Sequence, residues 1–139
     1  MLRFLKILIF VPVLFHLDVP LRGQSLIDLS KEEVQSVIKN KHLEYKRDNS
    51  VINQQFNYLK YVNGLRTRTW IIYFTDEDTC RSTKLVCDYS EYNDVLEELN
   101  NKYRRLEESA WDYPLKTDTI QVILTRQEWY FTVREARKK

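Results

Sequence analysis

The chain has 139 residues, 22 of them Lys or Arg and 20 Asp or Glu, with a net charge of +2. That near-balance lacks the basic surplus on which nucleic-acid binding draws, so no nucleic-acid partner is expected. The length suits one ordinary domain.

The N-terminus reads as a targeting segment. Arg3 and Lys6 precede the apolar run Ile7 to Phe15, and a polar stretch ending "PLRGQS" follows. Charged, apolar, then polar is the order of a secretory signal. The run is far shorter than the roughly 20 apolar residues of a spanning helix, and His16 and Asp18 follow it. Cleavage is expected after Gly23, giving a signal over 1–23, one domain over 24–139, a secreted or periplasmic location and no stable membrane anchor. The segment takes Arg3, Lys6, Arg22 and Asp18 with it, which leaves the mature chain with equal numbers of basic and acidic residues. The locally basic tail "REARKK" reads as a solvated terminus.

A helix begins at "LSKEEV". Ser30 and Glu33 have the spacing of a capping box, and Leu29 and Val34 that of a hydrophobic staple. Val34, Val37 and Ile38 form its apolar stripe, and it ends near Lys41. Strands follow. Phe56–Val62 meets Leu65–Thr75 across Asn63-Gly64, a pair suited to a type I′ turn. "TDED", Thr75 to Asp78, turns the chain into a third strand from Cys80. A second helix runs from a Ser90 cap to Leu106, with Tyr92, Val95, Leu96, Leu99 and Tyr103 on one side. Ala110–Pro114, Thr119–Arg126 and Glu128–Arg134 complete the strands. Ile120, Val122 and Leu124 alternate with polar or opposite-facing neighbours, as do Trp129, Phe131 and Val133.

The expected fold is therefore α+β in two layers: an antiparallel sheet of about six strands with two helices on one face, order α-β-β-β-α-β-β-β. "IKNKH", Ile38 to His42, echoes "LNNKY", Leu99 to Tyr103, which suggests a duplicated unit. Ser30 to Val34 followed by an aromatic strand and a hairpin resembles the repeat unit of β-lactamase inhibitor proteins and of small outer-membrane assembly lipoproteins. The closing strand "EWYFTV" is similar to that of many small secreted bacterial proteins. The lipoproteins' modified cysteine and the usual glycine before the helix cap have no counterpart here. The resemblance implies enzyme inhibition as one use, through an exposed loop such as "TDEDT".

The only two cysteines, Cys80 and Cys87, lie seven apart. In an extended strand that spacing is roughly 23 Å, too long for a bridge, and its odd parity points the side chains to opposite faces. No disulfide is expected in a continuous strand, although a turn at "RST" would allow one; Cys87 reads as core and Cys80 as partly exposed. Outside the signal there is one histidine, His42, too few soft ligands for a zinc cage. "DEDTC" starts like a calcium loop, but Cys80 and Arg81 stand where an oxygen ligand and a glycine belong. No glycine pattern cradles a phosphate, and no base is set beside a nucleophile. Neither cofactor nor metal nor catalytic residue is expected. A hydrolase using Cys80, or a carboxylate pair near His42, is the weakest of three readings.

One strand carries large apolar groups on both faces. Arg66, Arg68, Trp70, Ile72 and Phe74 share one side; Thr69, Ile71 and Tyr73 share the other. A two-layer domain leaves one sheet face to water. A binding patch is expected around Trp70 and Ile72, joined by Ile123 and Tyr130 and rimmed by Arg66, Arg68 and Arg134, an apolar centre with aromatics and arginine. Its partner would be another protein or a second copy of the chain. Internal cover, by "QSLIDL" or by coiling of the sheet, is the rival reading and the one that apolar runs favour, since they are more often core. The expected function is an exported, non-catalytic binding module.

Overall fold

The computed structural model describes residues 25–139; the expected signal, 1–23, lies outside them. Helix α1 spans Lys31–Lys41. Four strands follow: β1 (Tyr45–Arg47), β2 (Tyr58–Asn63), β3 (Arg68–Phe74) and β4 (Cys80–Asp88). A 3₁₀ turn, Tyr89–Glu91, leads into α2, Tyr92–Lys102. Then come β5 (Arg104–Glu107), β6 (Ala110–Leu115), β7 (Asp118–Arg126) and β8 (Tyr130–Arg137). All eight strands form one antiparallel sheet in the order β1-β2-β3-β4-β8-β7-β6-β5. No helix among the described residues is long and apolar enough to cross a membrane.

The six-strand arrangement is corrected to eight, each helix being followed by four strands. The two extra strands are the sheet's edges, and their sequences hide them. β1 is "YKR" and β5 is "RRLE", short and charged, without apolar alternation. Such edges discourage pairing with another chain, which is why they carry no core signal. Tyr103–Leu106, expected in α2, instead leaves the helix: Tyr103 is extended, and Arg104 opens β5.

The order is palindromic about the β4–β8 pair, so the domain is two halves of the same element order, each a helix followed by a four-stranded meander. The helices correspond residue for residue. Val34 and Ile38 of α1 are buried where α2 buries Val95 and Leu99, and the next residues in register, His42 and Tyr103, donate backbone N–H bonds to Ile38 and Leu99. The echo of "IKNKH" in "LNNKY" marks these matching helix ends.

Both helices pack on one face, each over its own core. Val34 and Ile38 meet Leu59, Tyr61, Ile72, Phe74 and Cys80, with Leu26 added from the segment before α1. Val95 and Leu99 meet Trp111, Val122, Leu124, Phe131 and Val133. Each fully buried large side chain contributes roughly 1.5–3 kcal/mol. The Ser30–Glu33 capping box is formed in both directions. Ser90, by contrast, caps nothing; the 3₁₀ turn replaces a side-chain cap on α2.

Two local expectations are also corrected. Gly64 does not adopt positive φ; Arg66 does, at φ 58°. The turn closes with Arg66 N–H on the Asn63 carbonyl, and the Asn63 side chain accepts from the N–H groups of Thr67 and Arg68. This is a longer loop ending in a left-handed residue, another common hairpin solution. Trp129 is not on the core side of a strand. It sits at the β7–β8 turn and is 80% exposed.

Candidate interaction surface

The strand register decides which side chains share a face. Trp70 lies opposite Leu85 on β4, which lies opposite Val133 on β8. These all face the helices. Ile71 lies opposite Lys84, Lys84 opposite Arg134, and Arg134 opposite Ile123. These face away from both helices. The residues expected to form one patch are therefore split. Ile72 is fully buried in the first core. Trp70 is half-buried, its ring held by His42 at 5.1 Å and Tyr45 at 5.3 Å between centroids. Arg68 is an ion-pair hub on the helix side, bound to Glu91 at 2.8 Å and Glu98 at 3.0 Å. Arg66 is exposed in the β2–β3 turn. Ile123, Tyr130 and Arg134 belong to the opposite face. Alternation within each strand was readable; the alignment of β3 with β7 and β8 depends on the long-range β4–β8 pairing, to which no local signal points.

Internal cover for the helix side is thus supplied by α1, α2 and Leu26. Among the described residues, neither helix covers the other face. Three rows of side chains cross it. The central row is Lys60, Ile71, Lys84, Arg134, Ile123 and Ala110, one from each of β2, β3, β4, β8, β7 and β6. On one side of it run Tyr58 and Tyr73, with ring centroids 6.4 Å apart, then Ser82 and Ala136. On the other run Val62, Thr69, Val86 and Thr132. Phe56, from the β1–β2 loop, stands 54% exposed at the border of this face. With Tyr73, Arg81, Lys84, Ile123 and Arg134 it lines a shallow depression of about 520 Å³.

The electrostatics of this face are one-sided. Lys60 is paired with Asp48 at 3.4 Å. For Arg81, Lys84 and Arg134 the ion pairs of the described residues include no acidic partner. Lys84 and Arg134 are directly cross-strand neighbours, an arrangement of like charges that destabilises a sheet.

The cysteines take no part in this face. The register slips between Tyr73 and Phe74, which pair with Ser82 and Cys80, leaving Arg81 as the extra residue of a bulge. The bulge cancels the odd spacing, so Cys80 and Cys87 both point into the cores and each is 1% exposed. The expectation of opposite faces and a partly exposed Cys80 is corrected accordingly. Both thiols are free, and burial pushes each up to about 12. Reactivity belongs to the thiolate, so the folded protein is expected to be inert to a disulfide reagent at pH 8 and to titrate two thiols once denatured. Immediate reaction of the native protein would contradict the packing described. His42 is lowered by burial and lies against Trp70. Among the described residues no three His, Cys, Asp or Glu side chains are grouped to hold a metal ion. The acidic turn Thr75–Asp78 is tied down, since Asp78 accepts a hydrogen bond from Asn57 and is ion-paired with Lys31 at 3.6 Å.

No protein-family model, curated protein or solved structure matches the chain.

Proposed function

We propose that this protein is an exported, non-catalytic module that binds an acidic protein partner through the helix-free face of its sheet. One observation carries the reading: Lys84 and Arg134 stand side by side at the centre of that face, without an acidic neighbour and between two isoleucines. Placing like charges opposite each other costs stability unless an anion comes to meet them. A partner bringing carboxylates flanked by apolar groups would relieve the repulsion and cover Ile71, Tyr73 and Ile123. Complementary charge of this kind also speeds encounter and selects among partners. Export rests on the order of residues in the N-terminal segment. The resemblance to inhibitor proteins points the same way, towards recognition of another protein.

The test is site-specific photo-crosslinking in the cells that make the protein. A crosslinking side chain at Ile71 or Ile123 should trap one discrete protein, and the same group at exposed Glu97 on α2 should not. Reversing Lys84→Glu together with Arg134→Glu should abolish the adduct while leaving the circular dichroism spectrum unchanged. Equal trapping at all three positions, or none, would refute the proposal. So would an adduct of two copies of the chain, because two such basic faces repel each other.

A further inference from the structure

The two cores do not meet. Between the helix ends a groove of about 130 Å³ opens on the helix side of the central strands. Leu85 and Val133 form its apolar floor, and they face each other across the β4–β8 pair. His42, Tyr45 and Trp70 make one wall, packed edge to face and tilted. On the far side lies Glu135. Its carboxylate accepts hydrogen bonds from the Thr83 hydroxyl at 3.1 Å and the Tyr103 hydroxyl at 3.1 Å. The Tyr103 ring is stacked on Tyr113 at 4.8 Å, which fixes the hydroxyl in place.

Glu135 is half-buried, and the ion pairs of the described residues give it no cation. A carboxylate withdrawn from bulk water normally has a charged partner. The neighbouring cations do not serve. Arg68 is already bound to Glu91 and Glu98, and Lys102, which also lines the groove, is exposed and has no ion pair with Glu135 among the described residues. The lining carries the carboxylates Glu44, Glu98 and Glu135 against the cations Arg68 and Lys102. A carboxylate at one side of an apolar and aromatic groove suits an organic cation: the acid fixes the charge and the apolar surfaces take its carbon chain. The volume is close to that of an engineered protein cavity of about 150 Å³ that holds benzene, so the occupant is the size of one amino-acid side chain.

We propose that this groove binds a side-chain-sized alkylammonium group, its nitrogen on Glu135 and its methylenes over Leu85, Val133 and the Trp70 ring. The site is separate from the basic face of the sheet and opposite to it in charge.

The experiment titrates the protein with n-butylammonium, N-acetyl-lysinamide, n-butanol and butyrate. The readout is the Trp70 indole resonance, assigned with Trp70→Phe. Saturable shifts are expected with the two ammonium compounds, with a dissociation constant on the order of 1 mM for so small a ligand. Butanol and butyrate should be silent. Tighter binding of the lysine derivative would make a partner's lysine the source of the cation; tighter binding of butylammonium would make it a free amine. Glu135→Gln keeps the side chain's size and one of the two acceptor oxygens, and should weaken binding about tenfold by removing the charge. Equal response to butanol, no response to tens of millimolar ammonium, or unchanged affinity in a folded Glu135→Gln variant would overturn the assignment. The neutral and anionic probes decide the matter on the wild-type protein if that variant does not fold.

Discussion

Trp111→Ala is expected to destabilise the domain by about 4 kcal/mol, the range for removing a large buried aromatic side chain. Trp111 is fully buried on β6 and lies opposite Val122 of β7. It packs in the same core as Val95, Leu99 and Phe131. Its indole N–H donates to the Asn100 side-chain oxygen at 3.0 Å, linking the strand to α2. The Arg105 guanidinium lies 5.6 Å from its ring centroid, over the same side chain from β5. One residue thus connects α2, β5, β6 and β7. The substitution leaves a cavity at that junction and strips Asn100 of its partner. A domain of this size has roughly 5–15 kcal/mol in all, so the variant should sit near the edge of folding. Urea unfolding at pH 7 measures it. A loss below about 1 kcal/mol, the level of an ordinary surface change, would show that the second core is not built around this side chain.

Arg68→Met is expected to cost about 3 kcal/mol, because it strands a carboxylate that is largely withdrawn from water. Arg68 donates through Nε to Glu91 at 2.9 Å, and through both terminal nitrogens to Glu98 at 3.1 and 3.0 Å. The Arg68 and Glu91 side chains are only 17% and 15% exposed, whereas Glu98 is 46% exposed. Most of the loss therefore belongs to the Glu91 pair. Thr67 also donates to Glu91 at 2.8 Å. The Thr67 hydroxyl, with the Arg68 guanidinium, holds the Glu91 carboxyl below its ordinary 4.5. A carboxyl depressed in the folded state stabilises fully above its unfolded value and stops doing so as pH falls through the folded one. Wild-type stability should accordingly decline below about pH 4.5, the ordinary range for Glu, and that part of the decline should shrink in Arg68→Met. Adding Glu91→Gln should cost little further, since the two residues form one network. Additive losses at pH 7 would show that the pair is not coupled.

These two residues also show what the sequence discloses. The Ser30–Glu33 box and the stripes Val34/Ile38 and Val95/Leu99 were legible because helix caps and the helical period are local properties. So was the alternation Ile120, Val122, Leu124, since β7 is buried on one side only. Arg68 was legible as a charge beside an aromatic residue, but its role was not. Glu91 and Glu98 reach it only because the turn after β4 brings their side chains within reach of β3. The edge strands escaped because three or four charged residues carry no period. Cys80 was misplaced because one extra residue, Arg81, reverses the parity of everything before it. The binding surface itself follows from register. Ile71, Lys84, Arg134 and Ile123 are scattered in sequence and become one row only through three separate strand pairings.

The palindromic strand order has a kinetic consequence. Six of the seven pairings join strands that follow one another along the chain; β4 with β8 is the exception. Each half can zip locally on its own, through hairpins that form fast. Joining the halves requires closing the stretch that contains α2 and three strands, and loop closure must precede any reward from that contact. The slow step of folding therefore falls on the one seam where Lys84 must approach Arg134, and added salt, by screening that repulsion, should ease it.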